Sequence, residues 1–545
     1  QQQLDPQQAD KLPHAAIASA HPLATQAGLE IMDQGGNAFD AAIAVTATLA
    51  VVEPYSSGIG GGGFYLLQDA KSGRYQMLDA RETAPSAAHK DMYLDSAGNI
   101  VAGASVDGAL AAGIPGIPAA MVYLAENYGQ LKLKTSLSAA ISHAKNGFTV
   151  DSYYQRMAGF RLEALRANEA ASKIFLDNGE VPKIGHRIVQ QDLAKTLEQI
   201  AEKGLAGFYT GALAEQMVAD VRNHGGIWKQ QDLKRYEAVL RKPVITEYKG
   251  MKLVAAALPS SGGIALTGIL GMLEQFDIAG MDEVQRIHHI AEAMRRAYRD
   301  RAEYMGDEDF VDVPIERLTS KTYIRSLATD ISAKEATPSI SLNSFSQPAG
   351  KGNDTSHFSI IDTQGNKVSA TLSINYPFGA CFVAAGTGVL LNNEMDDFSA
   401  KPGVPNLYGL VGSTANAIEP GKRMLSSMTP SIAETDDRIA IIGTPGGSRI
   451  ITMVLLGLLD FYDGKDAEKI VNAGRFHHQY LPDEISYEPD VIDDDVAAGL
   501  KKLGHVTREM DDDYGNMQLI ILHKKTGQID AASDSRGIGS TGSLQ

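Results

Sequence analysis

Residues 353–359, Asn-Asp-Thr-Ser-His-Phe-Ser, place a threonine where a polar segment ends and a strand begins. If the bond between Asp354 and Thr355 were cut, Thr355 would carry a hydroxyl and a free α-amine on one residue. An α-amine has a pKa near ~8, so it can take the proton of its own hydroxyl at neutral pH and make it a nucleophile. The same residues also read as an ordinary loop-to-strand junction. A second chemical feature is Gly443-Thr444-Pro445-Gly446-Gly447-Ser448-Arg449, between a predicted strand, Arg438 to Ile442, and an apolar helix from about Ser448. Gly446 and Gly447 would leave two backbone N–H groups open beside a helix N-terminus, a setting for an oxyanion. Third, Asn392 to Phe398 packs the carboxylates Glu394, Asp396 and Asp397 into one loop. Arg81 follows the predicted strand Tyr75 to Leu78, and Ser426-Ser427 follows Lys422-Arg423. Carboxylates suit an ammonium, and arginine and hydroxyls suit a carboxylate. Together these groups could hold a zwitterionic amino acid; singly, each is a solvated loop.

The elements that must position them read as follows. His357 to Asp362 and Lys367 to Asn375 form two strands about the turn Thr363-Gln364-Gly365-Asn366. Leu342 to Asp354 has no hydrophobic period and reads as an exposed loop, and Gln1 to Pro13 as a loose polar terminus. Helical patterns cover Tyr153 to Lys173, Asp192 to Lys203 and, most clearly, Gln285 to Met305. After Asn353, strands and glycine-rich turns dominate up to Gly447. Later strands fall at Met517 to His523 and near Ile529. No internal repeat is present.

The 545 residues suffice for a large core, and 44% hydrophobic with 21% charged residues is the composition of a globular protein. The longest apolar runs, Ala41 to Val52 and Ile450 to Leu459, are too short to span a bilayer and read as buried helices. A net charge of −17 argues against nucleic-acid binding. The single cysteine, Cys381, excludes an intrachain disulfide, and its apolar setting makes it a buried small hydrophobe. The chain begins at Gln1, which suits a removed export signal.

Other motifs are weaker. Gly58 to Gly63 matches a dinucleotide-binding fingerprint in spacing, but strand-like Phe64 to Leu67 follows where a helix is required, so tight backbone packing is the better account. His288-His289 are adjacent on a helix and His477-His478 have no further ligand at a recognisable spacing, so no metal is expected. Gly537 to Gly542 lacks the strand–Ser–helix setting of a serine hydrolase.

With these residues in order along the chain, the sequence resembles the γ-glutamyltransferases (γ-glutamyltranspeptidases), a family of N-terminal nucleophile hydrolases. The resemblance runs from Gly35-Gly36-Asn37-Ala38 to Ala532-Ser533-Asp534, with Thr355-Ser356-His357, Leu391 to Lys401, Leu425 to Met428 and Gly443 to Ile450 as its most specific stretches. It implies a four-layer αββα fold and no cofactor. It also implies self-cleavage into a large subunit, residues 1–354, and a small one, residues 355–545, that remain together as a heterodimer. Thr355 would be both the processing residue and the catalytic nucleophile, acting on γ-glutamyl donors such as glutathione and glutamine. Gly446 and Gly447 would stabilise the oxyanion, and water or an amino acid or peptide acceptor would resolve the γ-glutamyl-enzyme. Arg81, Ser426 and Ser427 would surround the α-carboxylate; Asn375, Glu394 and Asp397 would hold the α-ammonium. Tyr408 would belong to a lid over the glutamyl pocket. Ser373 stands where the family has threonine; it keeps the oxygen but lacks the methyl that restricts the rotamer, so looser positioning is expected.

The resemblance implies a periplasmic or secreted protein without a membrane span. Two alternatives stand beside it. One is a related acylase acting on glutaryl β-lactams, against which Asp397 argues because a glutaryl group has no α-ammonium. The other is an unprocessed, non-catalytic binding homologue.

Overall fold

The computed structural model describes residues 11–342 and 354–545. Most of the polar start and of the loop before Thr355 lie outside the described residues. Asp354, expected at the end of an exposed loop, is buried, with 3% of its surface exposed.

Thirteen strands build two large sheets: β1 (Ala15–Ser19), β2 (Gly62–Asp69), β3 (Arg74–Asp79), β4 (Val239–Arg241), β5 (Val244–Tyr248), β6 (Met251–Ala255), β7 (Ser356–Ile361), β8 (Lys367–Ser373), β9 (Ser431–Glu434), β10 (Arg438–Gly443), β11 (Gln518–His523), β12 (Ile529–Ser533) and β13 (Ser540–Leu544). The first sheet runs β13-β1-β7-β8-β2-β3-β4, the second β12-β11-β10-β9-β6-β5. Every pairing within the two sheets is antiparallel.

The two-residue period of the strands sorts side chains into layers. Leu66, Ile361, Ile432, Ile441 and Ile520 meet between the sheets. Their neighbours Tyr65, Leu67, Phe358 and Ile360 face a helical layer containing Ala38–Val52. Ala440, Ile442, Leu519 and Ile521 face a second one, with Gly262–Leu273, Glu283–Tyr304 and Ile450–Tyr462. Both faces of the strands are therefore covered, and each fully buried aliphatic side chain contributes about 1.5–3 kcal/mol. The result is the expected four-layer αββα stack. Between the sheets, the Ser359 hydroxyl lies 3.1 Å from the carbonyls of both Ile441 and Gln518.

Local chemistry fixes the β7–β8 hairpin. Asp362 accepts the N–H groups of Gln364 and Asn366, each at 2.9 Å, and Gly365 takes a φ of +87° that suits glycine. The other Asp362 oxygen accepts the N–H of Ala38, tying the hairpin to the N-terminus of a buried helix.

Two expectations are corrected. The helical pattern over Tyr153 to Lys173 is broken into Ser152–Phe160, Leu162–Ala167 and Glu169–Phe175. The breaks fall where Arg161 turns inward onto the carbonyls of Pro377 and Gly379 and where the Asn168 side chain caps the third helix. Between 374 and 430 the expected strands reduce to the short pair Val383–Ala384 and Val389–Leu390. The rest is irregular backbone held by side chains, and it forms much of the site.

Candidate active site

Thr355 directly precedes β7, at the end of the hairpin where the two sheets and the irregular 374–430 stretch meet. It is 6% exposed. The next residues anchor it: Ser356 donates to Glu53 Oε2 at 2.6 Å, and the buried His357 ring bonds Thr371 Oγ1 at 2.8 Å. Gly443 leaves room for that ring, because a Cβ there would collide with it.

The Thr355 hydroxyl donates to the carbonyl oxygen of Asp354 at 2.6 Å. Ser373, at the end of β8, has its hydroxyl 3.4 Å from Thr355 Oγ1 and 3.4 Å from the same carbonyl oxygen. Its oxygen accepts the Asn375 N–H at 2.7 Å, which leaves its own proton for Thr355 or the carbonyl. Both 3.4 Å separations are long for O–H···O bonds. The Gly58 to Gly63 run packs here as expected: a Cβ on Gly60 or Gly61 would collide with the carbonyls of Leu390 and Ser373.

On one side of Thr355 lies a narrow cavity that brings together Arg81, Ser373, Asn375, Glu394, Asp397, Tyr408, Ser426, Ser427 and Gly447. The loop carrying the carboxylates is latched by asparagines. Asn392 donates to the carbonyls of Gly60 at 2.8 Å and Gly113 at 2.9 Å, and Asn393 accepts the Tyr376 N–H. Asn375 donates to the Asn393 carbonyl at 3.0 Å. Arg81, 1% exposed, donates to Glu394 at 2.9 Å and to Asp397 at 2.5 Å. Burial opposes the Arg81 charge, but Glu394, Asp397 and Glu82 hold its pKa above the ordinary value. Burial pushes the Glu394 carboxyl up to about 8, with Arg81 pulling the other way and Asp397 adding to the rise.

Two members of this cluster were not legible in the sequence. Arg301, on the helix Glu283–Tyr304, lines the cavity and donates to Ser427 at 3.0 Å and to Ser261 at 2.9 Å. Burial lowers its pKa to about 10. Glu82 is fully buried behind Arg81 with neither carboxyl oxygen hydrogen-bonded, and burial raises its pKa well above the carboxylate range. The cavity thus carries separate cationic and anionic groups that can exchange their mutual contacts for those of a zwitterion.

Gly446 and Gly447 close the reacting side, with φ of +143° and +55°. No acceptor among the described residues takes either N–H. Gly446 lines a small cavity with Thr355, and Gly447 lines the cavity that holds Arg81 and Glu394. Tyr408 lies over Gly447, since a Cβ there would sit 2.5 Å from its ring, and its hydroxyl donates to the Asn375 carbonyl at 2.6 Å. The irregular loop bearing Tyr408 therefore covers the cavity.

The remaining candidates lie elsewhere. Cys381 is buried, and burial pushes its thiol up to about 12. His477 bonds Thr452 and Gln479, and His478 faces Asp483 at 3.2 Å. His288 joins not His289 but His505, whose ring nitrogen is 2.7 Å away, and Glu292 completes a buried trio. Arg295 and Arg296 already bind that carboxylate, at 3.2 and 2.6 Å, so the trio is a self-satisfied network.

Residues 24–544 match the family model described as gamma-glutamyltranspeptidase. The chain is 41% identical over 531 residues to the glutathione hydrolase proenzyme of Escherichia coli strain K12, covering 96% of this chain and 90% of that protein. It is 43% identical over 497 residues to the one from Pseudomonas sp. strain A14, covering 90% and 85%. Among solved structures, a cephalosporin acylase from Bacillus halodurans superposes with a TM-score of 0.85 at 26% identity, over 99% of both chains. A chain of Helicobacter pylori gamma-glutamyltranspeptidase gives 0.57 at 39% identity, covering 62% of this chain and 95% of its own. The lower score accompanies the shorter overlap, while the identity is higher.

Proposed function

The chain belongs to the gamma-glutamyltranspeptidase family and is a γ-glutamyl hydrolase/transferase; we propose that Thr355, freed by its own attack on the preceding bond, is its nucleophile. The observation that carries this reading is the convergence on Thr355 of an oppositely charged cavity, a neighbouring hydroxyl and two open N–H groups.

Processing begins as Thr355 Oγ adds to the carbonyl carbon of Asp354, with Ser373 donating to the developing oxyanion. The C–N bond breaks, the nitrogen takes a proton to become the Thr355 α-amine, and water hydrolyses the resulting ester. Residues 1–354 and 355–545 then form the two subunits, which stay interleaved because β7 and β8 lie between β1 and β2 in one sheet.

In turnover the α-amine takes the hydroxyl proton as Thr355 Oγ attacks the γ-carbonyl of the donor. The oxyanion faces the N–H groups of Gly446 and Gly447. The departing amine receives the proton, leaving a γ-glutamyl ester on Thr355. Water or an acceptor amine attacks that ester, the C–Oγ bond breaks, and the proton lost by the attacker returns to Oγ.

Arg81, Ser426, Ser427 and Arg301 suit the α-carboxylate, while Asn375, Glu394 and Asp397 suit the α-ammonium, and Tyr408 shields both from water. This favours γ-glutamyl donors such as glutathione or glutamine over glutaryl compounds, for which Glu394 and Asp397 would find no cation. We place the activity in the periplasm or outside the cell, as in the family; no helix among the described residues is long and apolar enough to cross a membrane. Incubation with a γ-glutamyl anilide should release aniline and leave an acid-trapped γ-glutamyl ester on Thr355, detectable by peptide mass. Turnover with the ester on another residue would refute the assignment.

A further inference from the structure

A second, larger cavity of about 500 Å³ opens on the other side of Thr355. Asp354, still bonded to Thr355, lines it, as do Tyr153 and Gly515, which also line the small cavity at Thr355 and Gly446. The two cavities therefore share part of their walls. The turn after the two glycines separates the sides: Ser448 lines the zwitterion cavity, and the next residue, Arg449, lines this one.

Arg449 is 7% exposed, yet no carboxylate or hydrogen-bond acceptor among the described residues meets its guanidinium, and its Nε is buried without a partner. The ring of Tyr514 lies 5.0 Å from the guanidinium carbon. Tyr514, 2% exposed, also has a buried hydroxyl without a partner. Buried guanidinium and phenol groups are rarely left unpaired, because each lost bond has a desolvation cost. Two such donors side by side on one cavity fit an anionic ligand with two acceptor oxygens. Arg449 has no role in holding the glutamyl group.

We propose that this cavity binds the carboxylate of the amine partner, both the departing amino acid or short peptide and the acceptor that replaces it, with Arg449 as the anchor and Tyr514 as a second donor. The proposal rests on the γ-glutamyl transfer reading. With the carboxylate held there, the partner's free amine points back toward the ester on Thr355.

The test uses the processed wild-type protein with a γ-glutamyl anilide donor and two acceptors, a dipeptide with a free C-terminus and its C-terminal amide. Their amines are alike; only the distant carboxylate differs. The acid should be preferred about tenfold or more in kcat/KM, as expected for a charge-assisted pair. Arg449→Gln should bring the two within about threefold, Arg449→Lys should fall between, and Tyr514→Phe should lower the preference by a smaller factor. Equal use of acid and amide by the wild type overturns the proposal without any variant, as does an unchanged preference in Arg449→Gln. Anilide release without acceptor is recorded alongside. Its absence in the wild type would instead sink the γ-glutamyl reading on which the proposal stands.

Discussion

The hydroxyl of Ser373 stands 3.4 Å from that of Thr355, and it reaches the Asp354 carbonyl at the same distance. One group is thus shared between the proposed nucleophile and the bond it would cut, at the outer edge of hydrogen-bonding range. Ser373→Ala should slow self-cleavage by about 10- to 100-fold, toward the lower end of what one oxyanion donor supplies. Ser373→Thr should quicken it, since the methyl restricts the rotamer. The rate at which the full-length band divides in two on a denaturing gel measures both. Cleavage slowed by threonine would show that the serine position is already optimal.

The pH dependence follows from Glu394. Its carboxyl is raised to about 8 by burial, so it is neutral below that pH and anionic above it. An α-ammonium binds better to the anionic form. KM for a γ-glutamyl anilide should therefore fall as pH rises through about 8, and Glu394→Gln should flatten that limb. Deprotonation of the Thr355 α-amine acts on kcat instead, so the two titrations separate in the kinetic parameters. A KM that is level with pH in the wild type would remove Glu394 from the ammonium site.

Asp397→Asn leaves Arg81 short of one half-buried carboxylate and the ammonium short of a partner. Its kcat/KM on a γ-glutamyl anilide should drop by about 100-fold, as for truncation of a buried charge pair. Turnover of the matching glutaryl anilide should fall much less, shifting preference away from γ-glutamyl compounds. Undiminished γ-glutamyl turnover would show that Asp397 does not serve the ammonium.

Gly447 combines positive φ with close contact to the Tyr408 ring. Gly447→Ala should therefore displace both the lid ring and a backbone donor, lowering kcat by about 100-fold or more. A variant with near-normal kcat would move the oxyanion site elsewhere.

Much of this was readable in the residues because their chemistry is local. The β7–β8 hairpin follows from Asp362 to Asn366, the glycine run from the strand after it, and the Gly446-Gly447 turn from its strand and helix. What was not readable depends on distant contacts. Arg301 is one of four arginines between 295 and 301 on one helix, and only the packing of that helix shows which one enters the cavity. Glu82 looks like any loop carboxylate until it is buried behind Arg81. The short strand β13, rich in serine and glycine, carries no hydrophobic alternation and forms by pairing with β1.

The central claim is that Thr355 frees and then uses its own amine. N-terminal sequencing and intact-mass measurement of the purified protein, beside Thr355→Ala, test it most directly. The account predicts two fragments from the wild type, one beginning Thr355-Ser356-His357, with γ-glutamyl anilide turnover. It predicts a single inactive chain from the variant. A wild-type chain that stays whole while turning over the anilide, or a variant that still divides at 354–355, would contradict it.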